Sequence, residues 1–310
     1  MRRLVYMGTA AFAVPALERL VGEYDVAGLV SQPDGRAGRG RRKMASPVKK
    51  TALAHSLNIL QPRTLRSAEA IQRLRELEPE LIIVAAYGLI LTPNLLVFPP
   101  YGCLNLHASL LPKYRGAAPV AAAILAGEEE TGVSIILMDE GMDTGPLLAQ
   151  RRVKILPEDT RESLTERLSF RGAELLVETL PGWLRGELSP WPQDDEQASY
   201  APPLKKADGL IDWSLSAIEI WRRVRAYYPW PSAYTLWRGR LFKIWRAKPL
   251  AGWLGGEEPG RVLSLADGPA VVTGEGALLL EEVQLEGRKV MGAEDWVRGQ
   301  RDFIGSRLGE

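Results

Sequence analysis

Asn105 and His107 stand two positions apart in the stretch Tyr101–Pro119 (YGCLNLHASLLPKYRGAAP), at the end of a short apolar run. If that run is a strand, its period of two puts both side chains on one face. Strand ends in a parallel sheet open onto the crevice where ligands gather, so an amide donor and an imidazole there face a ligand rather than a core. A second segment, Met138–Pro146 (MDEGMDTGP), sets Asp143 between Gly141 and Gly145, a pattern that holds a carboxylate in a tight turn. Spacing alone leaves two other readings open: a structural polar pair on the strand, and a solvated aspartate in a hairpin-like turn.

The elements that must position these residues can be read around them. Over the first 186 residues short apolar runs alternate with helical patterns, as βαβ units of a doubly wound, mostly parallel sheet do. Strands are predicted over Leu4–Met7, Val26–Ser31, Leu81–Ala86, Cys103–Leu106, Val133–Met138 and Leu147–Val153. Helices are predicted over Val14–Val21, Val48–Leu57, Ala68–Leu77, Val120–Ala126 and Arg161–Leu184. Residues 187–206 turn polar and proline-rich, which reads as an inter-domain linker. Residues 207–310 then show one helix, Ala217–Ala226, and short glycine-separated runs that suggest a small β-barrel.

Composition narrows the chemistry. The formal net charge is +1, so a nucleic-acid partner must be met by a local basic surface. One cysteine, Cys103, rules out an intrachain disulfide framework, and with only His55 and His107 beside it a Cys/His metal site is nearly unbuildable, so no metal is expected. Gly8 follows the first strand, but the second and third glycines of a dinucleotide fingerprint are absent, which argues against a nicotinamide enzyme. No run approaches the roughly 20 apolar residues of a membrane span, and the N-terminal run lacks a signal-peptide core. A cytoplasmic, soluble protein is the expectation, and nothing in the sequence demands more than a monomer.

Taken together, Asn-x-His-x-Ser-Leu-Leu-Pro, the following Arg-Gly and the glycine-bracketed Asp resemble the 10-formyltetrahydrofolate-dependent formyltransferases. That resemblance implies a Rossmann-like catalytic domain followed by an OB-like barrel, with Asn105, His107 and Asp143 as the catalytic residues and 10-formyltetrahydrofolate as co-substrate. In the implied reaction Asn105 donates to the formyl oxygen, His107 donates to it or relays the amine's proton, and Asp143 fixes the imidazole. The resemblance also places the pterin beside Tyr87, Gly88, Leu89 and Leu91 and beside Asp139 and Gly141, with Ser109, Leu110, Leu111 and Pro112 lining the approach.

The acceptor amine is a separate question. After Pro33 the stretch Ser31–Lys50 carries Arg36, Arg39, Arg41, Arg42, Lys43, Lys49 and Lys50 against one acid, Asp34. A solvated basic loop is one reading; an RNA-backbone contact is the other. The wording of this loop resembles the inserted loop of methionyl-tRNA formyltransferases, in which Arg39 aligns with an arginine important to tRNA recognition. Residues 220–250 hold eight cations, Arg222, Arg240 and Lys243 among them, interleaved with aromatics and with no acid, a composition suited to RNA. Lys205 and Lys206 join this expected tRNA-binding set. Several of the tryptophans are expected to be core instead. Ala10 and Tyr228 depart from the family's usual proline and asparagine, which touches loop geometry and not the trio. A formyltransferase for an amino-sugar nucleotide is the alternative enzyme, and a noncatalytic RNA-binding protein the alternative class.

Overall fold

A computed structural model describes residues 2–37, 42–250, 252, 253, 255–300 and 302–309. Two compact units divide it, and the division is not collinear: residues 1–119, 130–154 and 164–201 form the first, while residues 120–129, 155–163 and 202–310 form the second. Residues 187–201, inside the stretch read as a linker, therefore group with the first unit.

In chain order the first half of the structure contains β1 (Arg3–Gly8), α1 (Val14–Glu23), β2 (Asp25–Val30), β3 (Gly35–Ala37), β4 (Arg42–Met44), α2 (Pro47–Ala54), β5 (Ile59–Leu60), α3 (Ala68–Arg75), β6 (Leu81–Ala85) and α4 (Pro93–Leu96). There follow β7 (Cys103–His107), β8 (Arg115–Gly116), α5 (Pro119–Ala126), β9 (Glu130–Leu137), β10 (Leu147–Lys154), α6 (Arg161–Leu184) and β11 (Tyr200–Ala201). The main sheet runs β10-β9-β7-β6-β1-β2-β5. From β7 to β5 neighbours pair parallel; β9 and β10 pair antiparallel. Position in the sheet explains composition: central β6 (LIIVA) is buried at every residue, whereas edge strand β10 is buried only at Leu147 and Leu148 and then alternates half-buried and exposed positions. One core layer joins Val5, Met7, Val30, Ile82, Val84 and Cys103. Asn105 and His107 thus sit at the carboxyl end of an interior strand.

Beyond residue 202 the first α-helix of the second unit is α7 (Ala217–Ala226). Ser216 caps it: Ser216 Oγ accepts from Glu219 N at 3.3 Å while the Glu219 carboxylate accepts from Ser216 N at 3.0 Å. Strands β12 (Ala233–Trp237), β13 (Arg240–Leu250), β14 (Val262–Leu265), β15 (Gly268–Val272) and β16 (Ala277–Leu285) pair antiparallel in the order β12-β13-β16-β15-β14, with β17 (Met291–Gly292) on β16, then α8 (Ala293–Gly299). Among the described residues the path of this sheet does not close into a barrel. Its core is aromatic, with Trp237, Phe242, Trp296 and Phe303 in mutual edge or tilted contact at centroid distances of 5.2–6.4 Å. Of the tryptophans in residues 220–250, Trp237 is buried, Trp221 and Trp245 are half-buried and Trp230 is exposed.

Candidate active site

The loops after β6, β7 and β9 all leave the sheet near the trio's strand. Cys103 O accepts from Met138 N at 2.8 Å, tying the start of β7 to the loop that carries Asp143. That loop closes where Leu137 N donates to Pro146 O at 2.9 Å. At Gly145 a Cβ would stand 1.9 Å from Leu137 O, so only glycine lets the turn close. Asp143 itself takes a left-handed φ of 57°, which aspartate tolerates better than most residues.

Its carboxylate is the hub. Asn105 Nδ2 donates to Asp143 Oδ1 at 3.1 Å, and Gly116 N donates to Oδ2 at 2.9 Å. His107 Nδ1 lies 3.5 Å from the same Oδ2. On its other side His107 Nε2 meets Tyr114 O at 3.0 Å. A carbonyl can only accept, so Nε2 carries a proton in that contact and Nδ1 is the ring atom turned to the carboxylate. Gly116, at φ 114°, brings its amide to Asp143 with Ala201 O packed behind it, where a Cβ would stand 2.7 Å away.

The loop after β7 is held by its own side chains. Ser109 Oγ donates to Lys113 O at 2.6 Å, and Ser134 Oγ donates to Ser109 O at 2.7 Å while accepting from Leu111 N at 3.1 Å. Gln150 Nε2 donates to Leu111 O at 2.8 Å. Leu111 packs with Ile136 and Leu147, and Leu110 covers Gly132. Ser109 and Leu111 are thus buried, and they act by shaping the backbone that runs on to Pro112. Asp139 accepts from Gly141 N at 3.1 Å and from Thr144 Oγ1 at 2.7 Å, which ties the two ends of the Asp143 turn.

After β6, Tyr87 and Leu91 are buried in the core, with Leu89 packed against it, while Ile90 projects at 79% exposure. Burial pushes the Tyr87 hydroxyl up to about 12. Tyr87 O accepts from Thr9 Oγ1 and from Gln32 Nε2, both at 3.0 Å, and Gly88 leaves room for that Gln32 amide. Met142, beside Asp143, is also exposed. Two apolar side chains, Ile90 and Met142, therefore stand free on the two loops expected to hold a pterin. A cleft of about 260 Å³ bordered by Gln61, Arg63, Ser67 and Arg73 contains none of these residues.

The formyl transferase family matches residues 3–180, and the formyl transferase C-terminal domain matches residues 203–301. The chain belongs to the formyl transferase family. It is 48% identical over 310 residues to the methionyl-tRNA formyltransferase of Roseiflexus sp. (strain RS-1), covering 99% of this chain and 95% of that one. With the methionyl-tRNA formyltransferase of Chloroflexus aggregans it shares 50% over 300 residues, 96% of this chain and 97% of the relative. Among solved structures, an N-formyltransferase from Helicobacter canadensis in complex with folinic acid and dTDP-3-aminofucose superposes with a TM-score of 0.66 at 18% identity, covering 90% of this chain and 98% of that chain, a likeness of fold.

The basic residues fare differently from one another. Arg39 and Arg41 lie outside the described residues. Arg36, Arg42 and Lys43 fall on the β3/β4 hairpin, where Arg36 pairs with Lys43. Lys49, counted with that basic stretch, is instead engaged within the fold: its Nζ donates to Asp34 Oδ2 at 2.8 Å and to Gln61 Oε1 at 2.7 Å. In the second unit the acids missing from residues 220–250 arrive from other segments. Arg246 and Lys248 pair with Glu281 across the β13/β16 ladder, and Arg238 pairs with Asp302. Arg225 is buried and donates to Asp159 O and Leu156 O, both at 2.8 Å, with its guanidinium over Trp221. Arg222 lies against Gly127, Arg240 donates to Glu286 O at 2.9 Å, and Lys243 stands 5.0 Å from the Trp245 ring; Lys205 and Lys206 are exposed.

Sequence reasoning missed Gln193, Ser199 and the use of Arg115. Arg115 carried a signal through its place in the Arg-Gly of the motif; Gln193, in an aperiodic proline-rich stretch, carried none. No group of three or more His, Cys, Asp or Glu able to hold a metal ion occurs among the described residues, and no helix among them is long and apolar enough to cross a membrane.

Proposed function

We propose that this chain transfers the formyl group of 10-formyltetrahydrofolate to the α-amino group of methionine charged on initiator tRNA. The observation that carries the reading is kinship across both units: methionyl-tRNA formyltransferases match at 48–50% identity over at least 96% of the chain. The trio geometry supports the chemistry.

When bound, the folate supplies a formyl group on nitrogen, and the acceptor amine is the nucleophile. One Nδ2 hydrogen of Asn105 is held by Asp143, which leaves the other to donate to the formyl oxygen as negative charge grows there. His107 Nδ1 takes the proton the amine loses, the carboxylate 3.5 Å away stabilises it on the ring, and the proton then passes to the folate nitrogen as its bond to the formyl carbon breaks. The exposed Ile90 and Met142 offer apolar side chains, and the shaped backbones of residues 86–91, 109–112 and 139–143 supply amides and carbonyls, which suits a pterin. The basic residues Arg36, Arg39, Arg41, Arg42 and Lys43, and the cations Lys205, Lys206, Arg222, Arg240 and Lys243, meet the RNA backbone. The chain acts as a cytoplasmic monomer, which sedimentation of the active species checks.

Formyl transfer from 10-formyltetrahydrofolate to charged initiator tRNA, run beside free methionine, elongator methionyl-tRNA and the Arg39→Ala variant, tests the assignment. Rapid formylation of the initiator alone, lost in Arg39→Ala with folate binding kept, is the expected result. No transfer to either tRNA with folate still bound would overturn it and point to an amino-sugar nucleotide.

A further inference from the structure

After α6 the chain does not leave the first unit directly. Trp191 and Leu147 exchange both backbone hydrogen bonds, at 2.8 and 2.9 Å, and β11 lies parallel to β8. Ser199 Oγ accepts from Tyr114 N at 2.9 Å and Ser199 O accepts from Arg115 N at 2.8 Å. This strap therefore borders both loops of the trio: the one whose Tyr114 carbonyl receives His107, and the one that carries Asp143.

Gln193 sits in the middle of it with its amide fully used. Gln193 Nε2 donates to Asp143 O at 2.8 Å and to Gly145 O at 2.7 Å. Gln193 Oε1 accepts from Arg115 Nε at 3.1 Å and from Arg115 Nη2 at 2.9 Å. Arg115 is 5% exposed and is anchored again by Asp195 at 2.6 Å. The turn so gripped contains a left-handed aspartate and a glycine with no free space, and its own carbonyls have these partners from outside the loop.

We propose that Gln193, braced by Arg115, is a positioning residue that aims the Asp143 carboxylate at Asn105 and His107, so that turnover depends on a side chain which touches no substrate. This rests on reading Asp143 as the carboxylate of the reaction. A misplacement of about an ångström at such a group costs up to about a hundredfold in rate.

The test uses the full chain as Gln193→Ala, Gln193→Glu and Asp143→Asn, and the double variant Gln193→Ala/Asp143→Asn. In Gln193→Ala, kcat falls about tenfold to a hundredfold, with KM for folate and for charged tRNA kept within about threefold. Gln193→Glu keeps size and the Arg115 contact but turns an oxygen toward two carbonyl oxygens, and is at least as slow. In the Asp143→Asn background the Gln193→Ala change costs no more than about twofold. With only two histidines, His55 serves as an internal control for ring signals by NMR: in Gln193→Ala those of His107 move toward their positions in Asp143→Asn, and those of His55 stay. Unchanged His107 signals, or a full additional rate cost in the double variant, would overturn the proposal. The ring signals report even if the wild-type chain formylates nothing, an outcome that would sink the functional reading alone.

Discussion

Asn105 Nδ2 donates to Asp143 Oδ1 at 3.1 Å across a separation of 38 residues, so the amide's orientation is set by a loop on the far side of β9. An unheld asparagine can present either oxygen or nitrogen to a ligand. Here the carboxylate selects the nitrogen.

Asn105→Ala removes the donor without unpacking the strand, since Asn105 is only partly buried. Formyl transfer is expected to slow by about a hundredfold or more, with folate affinity nearly unchanged, because the lost hydrogen bond matters most as charge develops. Single-turnover rates beside equilibrium folate binding check this. A variant that lost folate binding in proportion to rate would show that Asn105 holds the ligand and not the developing charge.

Lys49 gives a prediction opposite to that for its basic neighbours. Its ammonium is mostly buried between Asp34 and Gln61, at the base of the hairpin. Lys49→Ala is expected to lower Tm by about 2–4 °C and to leave the salt dependence of tRNA binding as it was. Arg42→Ala is expected to reduce the slope of log K against log salt by about one and leave Tm alone. Titrations with charged tRNA at several salt concentrations separate the two.

Much of this fold was legible because its elements announce themselves locally. The β6 run of five apolar residues is what a central parallel strand requires, and α6 and α7 were readable to their ends from their apolar periodicity. Direction was not: β9 has the same apolar character as the parallel strands, and only its pairing reverses it. The two-residue β5 and the seven-residue α8 are too short to carry a period. In the site, residue type and spacing made Asn105, His107 and Asp143 candidates, and the resemblance of the whole motif singled them out. Gln193 did not, because its partners lie 48 to 78 residues away and its own neighbourhood is aperiodic.

Arg225 belongs by composition to an RNA-binding face, yet its guanidinium is buried and satisfies two carbonyls of residues 156–159. Desolvation holds its pKa below the ordinary arginine value. Arg225→Met fills a similar volume and abandons both carbonyls, which is expected to cost about 2–4 kcal/mol. Chemical denaturation measures that directly. The same variant, assayed where it remains folded, is expected to bind charged tRNA with an unchanged salt slope; a slope reduced by one would make Arg225 a phosphate contact after all.

Cys103 opens the strand that carries Asn105 and His107, and it is fully buried with its thiol donating to Leu95 O at 3.4 Å. Burial pushes that thiol up to about 12, against an ordinary value of 9.0. At pH 8 the native chain is therefore expected to resist iodoacetamide, because the reactive thiolate is both rare and inaccessible. The sign of the linked stability follows from the same shift. Above pH 9 the unfolded chain releases the Cys103 proton while the folded chain keeps it, so this group's contribution favours unfolding increasingly as pH rises toward 12. Mass spectrometry of alkylation across a denaturant series is expected to show modification tracking global unfolding. Rapid labelling of the folded, active chain would mean that β7 opens locally and that the strand under the trio is less rigid than its packing implies.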